Sequence, residues 1–158
     1  MKKIIVVAIV VIIIILTTAI LINQNRPQQE YLIVEVFFNN NNLNPEFSCD
    51  KVFSSKRSIP KTPEPERAAL LELLAGPTQG EVSEGFFTTI NSGVKLRSIS
   101  IIRGVAEVDF DERLESGIAG SCLVTSIRSQ ISETLKQFSS VDEVIISVNG
   151  RTEDVLQP

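Results

Sequence analysis

Nineteen consecutive residues, Ile4–Ile22, carry no charge, no Gly and no Pro. As a helix this run would span about 28 Å at about 1.5 Å per residue, close to the roughly 30 Å hydrocarbon thickness of a bilayer. Fifteen of the nineteen are β-branched. That is poor helix composition in water, but lipid obliges a backbone to bond internally whatever its side chains. A cleaved leader would want an apolar stretch of about 7–15 residues before a small-x-small site. Here the run is longer and closes on Thr17-Thr18-Ala19-Ile20-Leu21. The expectation is an uncleaved transmembrane anchor with the lipid bilayer as its partner. Lys2 and Lys3 precede it and only Arg26 follows closely, so the positive-inside rule places the N-terminus in the cytoplasm and the remainder outside the cell membrane. Without an ionisable residue or a glycine pair, the span reads as a tether.

Beyond the run, 13 basic residues face 19 acidic ones, a net charge of −6. An acidic domain does not suit nucleic acid, whose phosphates require a basic footprint. The chain has no His, which removes the commonest general base and the commonest metal ligand. Its two Cys are too few for a four-sulfur zinc site. No metal, cofactor or nucleic acid is therefore expected.

The chain divides into an anchor (1–22), a polar linker (23–30), a domain (31–150) and a tail (151–158). In the domain, Tyr31–Phe38 alternates, with Leu32, Val34, Val36 and Phe38 on one face, which predicts a strand. Asn39–Asn44 reads as a loop, and Lys51–Ile59 as a short edge strand. A helix is expected to open near Thr62–Pro65, where Thr62 or Glu64 can cap it and Pro63 or Pro65 suits the first turn. Gly76-Pro77 stops it, with Gly76 in a left-handed cap. Residues 79–93 read as irregular. Lys95–Ile102 and Val105–Phe110 flank Arg103-Gly104, a two-residue hairpin signal. Leu123–Phe138 carries the clearest amphipathic stripe: Val124, Ile127, Ile131, Leu135 and Phe138. Val141–Asn149 makes the last strand, with Asn149-Gly150 as a turn. The expected class is α+β: one mixed sheet, order β-(β)-α-β-β-α-β, with two helices on one face.

Glu107, Asp109 and Asp111 share a strand face, and carboxylates at i and i+2 lie roughly 6.6 Å apart. That spacing would suit a pair flanking a glycosidic bond, but an antiparallel sheet also needs a polar face toward water, and no other acid–base motif supports catalysis. Gly76-Pro77-Thr78-Gln79-Gly80 lacks the Lys-Ser/Thr ending of a phosphate loop and does not follow a strand. Cys49 and Cys122, once exported, are expected to form a disulfide.

Several stretches together resemble the GerMN domain family. They are Leu73-Leu74-Ala75-Gly76-Pro77-Thr78, Gly93-Val94-Lys95-Leu96 and Gly104-Val105-Ala106-Glu107-Val108-Asp109-Phe110. They continue through Ile131, Thr134-Leu135-Lys136-Gln137-Phe138, Val141 and Val144 to Asn149-Gly150. Upstream, Arg57, Ile59-Pro60 and Thr62 fit as well. The resemblance covers Tyr31 to Gly150. It implies a bacterial, envelope-located, non-enzymatic domain, similar to ring-building modules that associate side by side, with partners among envelope proteins or copies of itself. It implies structural roles for Gly76, Pro77, Thr78, Gly104, Asp109, Phe110, Phe138 and Gly150, and it offers no catalytic residue. Cys49 and Gly120-Ser121-Cys122 resemble a subgroup carrying both cysteines. Two features depart from the family pattern: Asn91 replaces the usual Pro, and a single copy follows an apolar run where the family's sporulation member is a lipoprotein with two copies. The alternatives are a module binding cell-wall polymer, and a carbohydrate-active enzyme using Glu107 and Asp109.

Overall fold

The computed structural model describes residues 11–18, 29–46 and 48–157, and divides into two compact units, Met1–Glu30 and Tyr31–Pro158. Residues 11–18 are helical. The remainder of the Ile4–Ile22 run, on which the anchor expectation rests, lies outside the described residues. Among the described residues no helix is long and apolar enough to cross a membrane.

The second unit runs β1 (Tyr31–Asn40), β2 (Phe53–Pro60), α1 (Pro65–Ala75), α2 (Gln79–Ser83), β3 (Phe86–Phe87), β4 (Leu96–Ile102), β5 (Val105–Phe110), a 3₁₀ turn (Glu112–Leu114), α3 (Ser121–Lys136) and β6 (Glu143–Val148). The class is α+β. The strands do not join in the single sheet expected from sequence. They form two three-stranded sheets, ordered β2-β1-β3 and β4-β5-β6.

The physical reason lies on the edge of β1 away from β2. β3 pairs there only at Asn39 and Asn40. Farther along, side chains of α3 and the turn after it take the strand's place. The Gln137 amide receives the Glu35 N–H at 2.7 Å and donates to the Glu35 carbonyl at 2.6 Å. The Thr134 hydroxyl accepts from Phe37 N–H at 3.1 Å. Those groups are satisfied, so no further strand can pair there.

The hydrophobic pattern reads through to packing. Val34, Val36 and Phe38 of β1 are buried, as are Ala106, Val108 and Phe110 of β5, whereas Leu32 stays 37% exposed. Val124, Ile127, Ile131 and Leu135 carry α3 into the same core, joined by Leu70 and Leu73 of α1 and by Ile146 and Val148 of β6. Val155 and Leu156 also lie in that core, and Arg128 donates to the Val155 carbonyl at 2.7 Å. The Arg103-Gly104 turn closes β4 onto β5 with positive φ at both residues, the mirror-image turn that matches strand twist.

The expected edge strand forms as β2, which pairs with β1 along eight residues, from Tyr31↔Pro60 to Phe38↔Phe53. Three local expectations need correction. Asn39 and Asn40, read as the start of a loop, are the last residues of β1. The segment read as irregular holds α2 and β3. Gly76 has φ 79° and ψ −179°. This is a conformation reserved for Gly, but it is extended and lies outside the left-handed helical well.

Candidate binding face and its supports

The motif residues meet first at the end of α1. Thr78 caps α2 and accepts from Glu81 N–H, while Glu81 receives the Thr78 N–H at 2.6 Å, closing a capping box. The same Glu81 carboxylate takes the Arg57 guanidinium (Nη2–Oε2 2.6 Å) and the Ser55 hydroxyl, joining α2 to β2. Arg57 also lies 3.5 Å from Glu72 and 5.8 Å above the Phe38 ring. Burial pushes the Glu81 carboxyl up, but the bonds from Arg57, Ser55 and Thr78 outweigh it and hold it at about 2. Glu81 went unnoticed in the sequence, although Thr78-Gln79-Gly80-Glu81 is a capping-box spacing.

The second support is α3. Beside its apolar stripe runs a buried polar one, Ser126, Gln130 and Thr134. Ser126 donates to Asn39 at 2.7 Å, and Thr88 donates to Gln130 at 2.9 Å. Cys122 stands in the first turn of this helix and is disulfide-bonded to Cys49 across 73 residues of sequence. The Asn-rich segment next to Cys49 is held by its own amides. Asn40 accepts from Asn42 and Leu43 N–H, and Asn44 and Ser48 bond each other in both directions.

The candidate face itself is the solvent side of β4-β5-β6. A trough of about 470 Å³ crosses it, lined by Ser98, Ser100, Glu107, Asp109, Ile145, Ser147, Gly150 and Thr152. Strand register explains the set: Ser98 faces Asp109, Ser100 faces Glu107, and on the other side Glu107 faces Ile145 and Asp109 faces Ser147. Asp109 is committed on three sides, with Arg97 at 3.0 Å, the Ser147 hydroxyl at 2.9 Å and Gly150 N–H at 2.7 Å. It thereby pins the Asn149-Gly150 turn to β5. Asp111 receives Lys95 N–H at 3.1 Å. Glu107 projects into the trough, exposed. The arrangement offers hydroxyls and one available carboxylate in an open groove. No aromatic side chain lines it, and among the described residues no three His, Cys, Asp or Glu converge on a metal position.

The remaining motif residues lie elsewhere in the fold. Gly104 accepts from Asp142 and Glu143 N–H through its carbonyl, tying the hairpin to the start of β6. Phe110 is fully buried. Phe138 is half-buried and packs against two clusters, the main core and a smaller one of Val34, Ile59 and Ala69. Pro77 links α1 to the capping Thr78.

The family model described as "Germane: Sporulation and spore germination" matches residues 35–154. Among curated proteins, none matches the sequence. Among solved structures, the first GerMN domain of the sporulation protein GerM from Bacillus subtilis is similar at TM-score 0.62 and 22% identity, covering 79% of this chain and 88% of that one. The tandem GerMN domains of the same protein give TM-score 0.63 and 21% identity over 81% of this chain, which spans only 43% of theirs.

Proposed function

Since the chain belongs to the Germane family of sporulation and spore germination domains, we propose that it is a non-catalytic binding or scaffold domain of the bacterial envelope, displayed outside the cell by an Ile4–Ile22 membrane anchor. One observation carries the non-catalytic reading. Of the two carboxylates in the trough, Asp109 is bound by a guanidinium, a hydroxyl and a backbone amide, so Glu107 has no independent partner with which to divide acid and base roles. The anchor rests on the length and charge pattern of the N-terminal run, and the envelope location on the family. The partners proposed are envelope proteins or further copies of the domain.

A second reading, a module for cell-wall polymer, draws on the hydroxyl-lined trough alone. Photocrosslinking from position 100 in native membranes separates the two. Protein adducts are expected. Binding to isolated wall polymer that Glu107→Gln abolishes would favour the polymer module. Turnover of polysaccharide or peptide by purified protein, lost in folded Glu107→Gln, would overturn the non-catalytic reading.

A further inference from the structure

We propose that the outer edge of β4 is a docking site for an extended peptide segment in which apolar and basic residues alternate. β4 ends its sheet, and among the described residues no strand lies beyond it. Natural edge strands are protected by charge, proline, bulges or cover. β2 carries exposed Lys56 and Pro60, and β6 is closed at its end by a bridge from Val148 to Arg151. β4 has a bulge at Leu96/Ser98, but from Ser98 to Ile102 its sequence is Ser-Ile-Ser-Ile-Ile, without a charge or a proline. Ile102 is 63% exposed. Because Ile102 and Val105 flank a two-residue hairpin turn, they form a hydrogen-bonded pair, as do Ser100 and Glu107. The N–H and C=O groups of Ile99 and Ile101 therefore point away from β5.

Beside that edge, the start of α1 leaves a cleft of about 140 Å³ walled by Pro63, Glu64, Glu66, Arg67, Ile99 and Ile101. A strand added along β4 would bond Ile99 and Ile101 through its backbone. It would place alternate side chains against their half-buried aliphatic surface, the helix-and-strand groove of β-augmentation. Charge selects the occupant. Glu64 is exposed and its side chain makes no cap bond to α1, Glu66 stands one residue inside the helix, and the chain beyond the apolar run is acidic. Together they outweigh Arg67 and favour lysine or arginine at the intervening positions of the ligand.

The inference deepens the reading of the domain as a binding module. That reading survives its failure if crosslinking captures partners through another face. The test uses the full chain solubilised in detergent and fluorescein-labelled hexapeptides, measured by anisotropy at low salt and at physiological salt. One peptide alternates Val with Lys, one alternates Val with Glu, and one is the Lys peptide with a central Pro. Saturable binding of the Lys peptide is expected, at least tenfold tighter than either other peptide. Ile101→Pro removes an outward N–H without breaking a bond to β5, together with a half-buried side chain that packs against the core, and should weaken binding at least tenfold, whereas Ser132→Ala on α3 should not. Should Ile101→Pro fail to fold, Glu64→Lys with Glu66→Lys provides the second arm, reversing the preference toward the Glu peptide. Equal binding of the Pro peptide, or no saturable binding, overturns the proposal. Dimerisation in sedimentation that Ile101→Pro abolishes would put a second copy on this edge and overturn the peptide as occupant.

Discussion

At the scale of single residues, each carboxylate has its own task. That of Glu81, in α2, is read through pH. Its folded carboxyl, at about 2, sits below the ordinary 4.5, so its contribution is complete above about pH 4.5 and is lost as pH falls toward 2. The shift corresponds to on the order of 3 kcal/mol. Acid titration of unfolding free energy should therefore show a loss in that window, and Glu81→Gln should flatten it. The same variant leaves the mostly buried Arg57 without its main partner and should cost roughly 3 kcal/mol at neutral pH. Asp109 and Glu107 form a second contrast. Asp109→Ala removes three bonds that join β5 to Arg97, β6 and the Asn149-Gly150 turn, and should cost about 1–3 kcal/mol. Glu107→Gln should change stability by less than about 0.5 kcal/mol. Equal costs in denaturant melts would refute these assignments.

At the scale of elements, α3 carries two stripes with different work. The apolar stripe fills the core, so Ile131→Ala should cost roughly 2–5 kcal/mol, and Ser132→Ala, outside both stripes, should cost little. The polar stripe and Gln137 serve the β1 edge and the segment before β4. Gln137→Ala should strip two bonds from Glu35 and leave its backbone groups unsatisfied, a cost of about 1–3 kcal/mol. Faster amide exchange at Glu35 in that variant, with Ile59 unchanged, is the specific readout. Slow exchange at both would mean that Gln137 does not cover the edge.

At the scale of the molecule, two constraints act on the whole chain. The Cys49–Cys122 bond closes a ring over 73 residues of sequence, for which chain entropy gives roughly 4 kcal/mol. Reduction should lower Tm without unfolding the Asn-rich loop, whose amides hold it independently. Both thiols should resist alkylation until reduced, and free thiols in protein from an oxidising compartment would refute the bridge there. The N-terminal run should keep the chain with membranes, its Lys2-Lys3 terminus intact and the domain open to external protease. Recovery of a soluble form beginning near Asn23 would overturn that topology.

Residue order alone determined whatever depends on near neighbours. Alternation in 31–38 and 105–110, the i, i+3, i+7 stripe of α3, the Arg103-Gly104 and Asn149-Gly150 turns and the α+β class were all legible, because period and turn chemistry are local properties. The disulfide pairing followed from having only two cysteines. Tertiary structure decided the rest. Two sheets form in place of one because Gln137 and Thr134 occupy an edge about 100 residues away in sequence. Asp109 is a strut and Glu107 is not, because strand register brings Arg97, Ser147 and Gly150 to only one of them. Glu81 becomes the junction of α2 and β2 only when folding brings Arg57 from 24 residues upstream. Which polar residue is committed and which is available depends on partners distant in sequence, and those distances are set only when the core closes.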